Sequence, residues 1–198
     1  MNPDHQHNLE EIIDSLCENL VWAWNYYHVL EGLHEEAKES REQVNRFPSL
    51  MNCLWAALFD ALFLKLNHFI DRTKTVHSLY YLFKRIRSYL PEDTDLHTKI
   101  SEHESKLHKT SDPIIDKIEN WRHNVVAHLS PASRDDQFYK ENKMHLDEIK
   151  NYLHLIDMIL ETYSLAILNR INDTISGSLV QKKEIKKLFD GLRAEQWH

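Results

Sequence analysis

Glycine is scarce in this chain, with three in 198 residues, and there are only five prolines. An all-β protein needs many glycine-rich turns, so that scarcity argues for long helices. Cysteine is nearly missing as well. Cys17 and Cys53 are the only two, and both stand in apolar helical surroundings, which predicts a pair of buried thiols rather than a disulfide and a reducing, cytoplasmic home. The opening residues, Met1 to His7, have no basic and then apolar run of the kind a secretory leader carries. The most apolar run, Leu54 to Leu64, contains Asp60 and is followed at once by Lys65, which reads as too short and too charged to span a bilayer. No membrane association is expected. No P-loop and no glycine-rich phosphate cradle occurs, and no His-x3-His pair or glutamate set with metal-ligand spacing. We therefore expect neither a cofactor nor a metal.

What is present is a modest excess of acidic over basic charge, and many histidines. The formal net charge of −7 weighs against broad, nonspecific nucleic-acid binding, although it leaves room for a local basic cleft. Fourteen histidines give several groups able to titrate near neutrality.

Residues 1–8 read as a flexible N-terminus. Apolar positions Leu9, Ile12, Ile13, Leu16, Leu20, Ala23, Tyr27 and Leu30 then recur at three-and-four spacing and predict a helix to about Glu39. Trp22, Trp24, Tyr26 and His28 widen that stripe, either for packing or as a base-stacking surface. A second helix, from about Ser49 to Ile70, is apolar nearly all round, which predicts a central helix covered on several sides. Asp60 is its anomaly. A carboxylate there needs a partner, either structural or as a group orienting Arg122 or a histidine. A third helix over about 76–90 follows a basic link. Arg72, Lys84, Arg85 and Arg87 are candidate RNA-backbone contacts or an ordinary solvated face. Helices over about 95–109, 113–129 and 142–172 complete the body. Residues 173–198 read as a hinge at Ser176-Gly177-Ser178 and a basic amphipathic helix that would dock on the core, on a partner or on nucleic acid.

The densest chemistry lies in Trp121-Arg122-His123-Asn124-Val125-Val126-Ala127-His128-Leu129-Ser130-Pro131. Pro131 should end the helix near Leu129 or Ser130. That places His128 in a last turn, where the helix dipole favours the imidazolium. On a straight α-helix Arg122 and His128 are about 9 Å and about 120° apart, so one helix alone makes a poor catalytic pair. Two copies about a two-fold axis would bring two arginines and two histidines into one cleft. Cleavage of RNA by its own 2′-hydroxyl needs a proton acceptor, a proton donor and a cation for the phosphate, and such a set supplies all three.

The string Trp-Arg-His-Asn-Val-Val-Ala-His-Leu, with Arg122-x5-His128, resembles the R-x(4–6)-H signature of HEPN domains. The Leu58-Phe59-Asp60-Ala61-Leu62 helix ending in Asp71-Arg72 and the Leu79-Tyr80-Tyr81-Leu82 helix resemble the abortive-infection, AbiU-type branch over about residues 10–172. The resemblance implies an all-α, up-and-down bundle of four to five core helices at residues 9–172, followed by the short C-terminal helix. It further implies a homodimer joined through the motif helix, metal-independent cleavage of an RNA substrate, and a toxin or phage-defence role. An antitoxin of nucleotidyltransferase type or a small protein would be the partner. Arg122 and His128 would be the catalytic pair, and His123 or Asn124 would fill the polar position that follows the arginine. Some HEPN domains are instead non-catalytic binding or assembly modules.

Overall fold

The structure is a computed structural model that describes residues 2–92, 94–108, 113–127, 136–171 and 179–194. Among these residues there are helices and no strands. Helix α1 spans Pro3–Glu39, α2 Arg41–Arg46, α3 Pro48–Ile70, α4 Leu79–Tyr89 and α5 Asp95–Lys106. Helix α6 covers Pro113–Trp121 and continues without a gap as a π-helical turn, Arg122–Ala127. Helices α7 (Asp136–Glu141), α8 (Leu146–Leu168) and α9 (Leu179–Ala194) follow.

Helix α1 is the spine. Its whole stripe from Leu9 to Leu30 is buried, together with Trp24 and Leu33, and it packs on α8, α3, α9 and α4. It begins at Pro3, earlier than Leu9. Asn2 caps it by accepting from the Asp4 amide at 3.0 Å, and proline in the first turn needs no donor there. His5 on that added turn stacks on Tyr89 of α4 with 3.9 Å between ring centres. The core is completed by Leu62, Phe63, Leu66 and Phe69 of α3, Leu82, Phe83 and Ile86 of α4, and Ile149, Leu153, Ile156 and Leu160 of α8. Trp24 is core, whereas Trp22 stays exposed on the outer face of α1.

Two expectations fail for one reason. Helix α3 is not covered along its length: its C-terminal half is core, but Phe47 before it and Leu50, Leu54 and Cys53 in its first half are exposed, Leu50 by 65%. Cys53 is therefore not a buried thiol. Cys17 is the sheltered one, and burial pushes its thiol up to about 11. Counted over all of Pro48–Ile70, α3 is also long and apolar enough to cross a membrane by length and composition, which the shorter run Leu54–Leu64 is not.

The expected single helix over 142–172 is broken. Residues 142–145 leave the helical path between α7 and α8, and α8 stops at Asn169, which takes the left-handed conformation (φ 51°) that asparagine tolerates. The expected hinge at 176–178 lies outside the described residues.

The C-terminal helix docks on α1. Lys182 pairs with Glu31 (2.7 Å) and Glu35 (3.0 Å), Arg193 pairs with Glu36 (3.0 Å), and Phe189 is buried. Glu31 is the hub, since it also accepts from Tyr27 (3.0 Å) and contacts His28 (3.3 Å). Burial pushes its carboxyl up, but hydrogen bonds from Lys182, Tyr27 and His28 outweigh burial and hold it below the ordinary 4.5. A depressed carboxyl stabilises the fold above its unfolded pKa, and that stabilisation is lost as pH falls through the folded value. Glu31→Gln should therefore lower stability by about 1–3 kcal/mol at neutral pH. Its deficit against wild type should shrink as the pH drops below about 4. Thermal melts of both proteins between neutral and acid pH check this.

Candidate functional site

Arg122 owes its place to the residue before it. Trp121 stacks on Phe63 of α3, with 5.1 Å between ring centres and 13° between planes, and its Nε1 donates to the Asn142 carbonyl at 3.0 Å. Asn120 donates to the Asn142 side chain at 3.0 Å. The end of α6 is thus pinned to α3 on one side and to the break before α8 on the other. Lys117 adds a 2.8 Å ion pair to Glu148 at the start of α8.

Beyond Trp121 the helix widens. The turn Arg122–Ala127 is π-helical, so i→i+5 bonds replace i→i+4. The straight-helix rise and rotation therefore do not hold over Arg122–Ala127. Such turns recur at functional sites, because they rotate side chains out of the regular register. His128 lies outside the described residues, as do Leu129, Ser130 and Pro131.

Arg122 opens onto a shallow cavity of about 290 Å³ lined by Asn67, Asp71, Arg72, Glu119, Asn120, Arg122 and His123. Its side chain is 48% exposed, and Nη2 lies 3.5 Å from Asp71 Oδ2. The carboxylate beside Arg122 is thus Asp71 and not Asp60. At about 1.5 Å per residue, about 16 Å of helix axis separates those two aspartates. Asp71 follows the last turn of α3 and accepts the Thr73 amide at 2.7 Å, an Asx-type turn. Burial raises its carboxyl, but the Thr73 bonds and the charge of Arg122 prevail and hold it below the ordinary carboxylate range. His68, one turn back on α3, is held below the ordinary imidazole value, by burial first and by Lys65 second. Its place three residues before Asp71 is the one sequence signal that could have singled it out. Asn124 donates to the Asn120 carbonyl at 3.0 Å, and His123 lines the cavity.

The four basic residues expected to meet RNA divide into two groups. Arg72 and Lys84 line a second cavity of about 420 Å³ with Lys74, Tyr80, Tyr81 and Glu104. Arg72 borders both cavities. Its guanidinium lies over Tyr80, 4.7 Å from the ring centre, and donates to that hydroxyl at 3.3 Å. Arg85 and Arg87 are engaged elsewhere. Arg85 donates twice to the Tyr81 hydroxyl, at 3.0 and 2.7 Å, and Arg87 forms a two-pronged pair with Glu104 at 2.8 and 2.7 Å that ties α4 to α5. Among the described residues no three His, Cys, Asp or Glu are grouped to hold a metal ion.

The fold is an all-helical bundle that presents Arg122 on a widened turn after α6, as the resemblance carried by the R-x5-H string implied. The family model described as AbiU2, of the HEPN type, matches residues 7–186, and the chain belongs to that family. No curated protein and no solved structure matches it.

The partly exposed Arg122–Asp71 pair should be weak, about 0–1 kcal/mol. Asp71→Asn keeps an acceptor for the Thr73 amide while removing the charge beside Arg122. It should raise affinity for a phosphate-bearing oligonucleotide by up to about fivefold at low salt. A salt titration of binding for both proteins measures the difference.

Proposed function

We propose that this chain is a metal-independent endoribonuclease that works as a homodimer, serving as a toxin or abortive-infection effector. The observation that carries this reading is Arg122, half exposed on a π-helical turn and lining a cavity with Arg72, which also borders a second cavity lined by Lys74 and Lys84, in a chain of the HEPN AbiU2 family. An RNA strand lying across the two cavities would meet cations along its phosphates despite the net negative charge of the whole molecule.

Arg122 would neutralise the scissile phosphate as negative charge builds on its oxygens. His128 of one copy would take the proton from the 2′-hydroxyl. The attacking oxygen then bonds to phosphorus and the bond to the 5′-oxygen breaks. An imidazole from the second copy would protonate that departing oxygen. The products are a 2′,3′-cyclic phosphate and a 5′-hydroxyl. His123 and Asn124 are the polar groups placed beside Arg122 to orient the strand.

One observation favours a second reading. Asp71 occupies the guanidinium that a phosphate would need, as in a helical module with no catalytic task. A nucleotidyltransferase-type or small-protein antitoxin is the partner proposed for the first reading.

Purified protein incubated with RNA in EDTA should cut it and leave 2′,3′-cyclic ends. Arg122→Ala and His128→Ala should each slow cleavage by about 10²–10⁴-fold with helical content retained. Full cleavage by the doubly substituted protein would refute the assignment, and an inert wild type would favour the binding module.

A further inference from the structure

Trp121, the residue before Arg122, lines a separate cavity that the cleavage chemistry does not use. It measures about 370 Å³, within the range of small-molecule sites, and its walls are mostly carbon. Phe59, Phe63, Trp121 and Met144 form those walls, and Asp60 and Lys143 are its charged groups. The rings are ordered. Trp55 stacks on Phe59 (6.4 Å), Phe59 on Phe63 (5.9 Å, 17° between planes) and Phe63 on Trp121 (5.1 Å, 13°). Near-parallel rings bordering an open cavity suit a flat aromatic guest better than an aliphatic one.

The two charged groups narrow the guest further. Asp60 has no hydrogen bond or ion pair among the described residues, not even with Lys143, although both line the same space. Burial among apolar neighbours, with no cation to offset it, pushes its carboxyl up. A sheltered carboxylate is best satisfied by two parallel N–H donors, and an ammonium beside it by an oxygen acceptor. Among the nucleobases only guanine carries that set along one edge, with N1–H and N2–H next to O6. Adenine and cytosine offer one amino group beside a bare ring nitrogen, and uracil flanks its single N–H with two oxygens that a carboxylate repels.

We infer that this cavity binds a guanine base turned out of an RNA strand, with the ring against the partly buried Phe59 and Trp121 above the core residue Phe63, Asp60 accepting from N1–H and N2–H, and Lys143 donating to O6. The choice of RNA as the source of the base rests on the ribonuclease reading. The placement agrees with it. Ala56, Asp60, Phe63 and Asn67 run down one stripe of α3 that continues to its cap Asp71, so the cavity and the Arg122 cavity lie along the same helix. The distance of about 16 Å from Asp60 to Asp71 corresponds to a few nucleotides. Cleavage would then fall at a fixed offset from a guanine. Turning a base out and reading its pairing edge between aromatic walls is how single-stranded RNA is usually recognised.

Labelled 2′-O-methyl pentamers test this without cleavage, because the attacking hydroxyl is blocked. Fluorescence anisotropy on the full chain would compare all-uridine, central-guanine and central-inosine strands. The guanine strand should bind at least tenfold tighter than the uridine strand. Inosine, which lacks the N2 amino group, should fall between them, and Asp60→Asn should erase the preference while circular dichroism shows an intact helical fold. Equal affinity for the three strands overturns the inference, as does a guanine preference that survives Asp60→Asn. A cavity covered by a second copy in solution would give the first of these results. The comparison on unaltered protein decides the matter even if the variant misfolds. An inert enzyme that still prefers guanine removes the nuclease and leaves this site, whereas a cutting enzyme without preference does the reverse.

Discussion

The stack of Trp121 on Phe63 is the contact on which the functional end of the molecule depends. Helix α6 is short, and by itself a nine-residue helix is marginal in water. Ile114, Ile115 and Ile118 bury its face in the core, but its last turn is fixed by a ring held flat on α3 and an indole N–H locked on the Asn142 carbonyl. Everything after Trp121 starts from that anchor. The direction in which Arg122 leaves the helix, and hence its meeting with Asp71, follows from it.

Two chemistries adjoin helix α3. One is a polar cavity beside Arg122, lined by arginines, a histidine and carboxylates. The other is an aromatic cavity with a sheltered aspartate, lined in part by Trp121. Helix α3 supplies a carboxylate to each, and the two behave differently for physical reasons. Asp71 has backbone donors and a guanidinium beside it, which keep it ionised, whereas Asp60 has burial and, among the described residues, no partner. Two aspartates carried by one helix thus have opposite shifts, set by what stands across from them.

Much of the fold was legible in the residue pattern. The α1 stripe from Leu9 to Leu30 is buried position for position, because three-and-four spacing kept up over many turns puts every one of those side chains on a single helix face. Family membership was legible from Trp121 to Leu129 read together with the α3 and α4 strings. Other features were hidden. An all-round apolar helix looks central, yet the pattern cannot say how far its neighbours reach, and the first half of α3 lies beyond them. Asp60 drew attention because it is an isolated charge in an apolar run, while Asp71, in an ordinary polar link, is the carboxylate that meets Arg122. Which aspartate faces α6 depends on how the helices cross, and no spacing within one helix encodes that. The break at residues 142–145 and the π turn carry no compositional mark either, and they adjoin the Trp121–Asn142 contact, which joins residues 21 apart in sequence.

The wide turn at Arg122–Ala127 has a mechanical consequence. Its backbone holds more residues per revolution than an ordinary helix, so the chain leaves it rotated relative to its entry. If those carbonyls shifted their bonds from the fifth residue to the fourth, the segment would tighten. Its exit would then swing about the helix axis by an amount comparable to one α-helical residue, about 100°. The arginine is fixed at the start of this segment, while its far end can be re-aimed by a change in hydrogen-bond register alone. A partner seated against the turn could thus reorient that end without disturbing the bundle core.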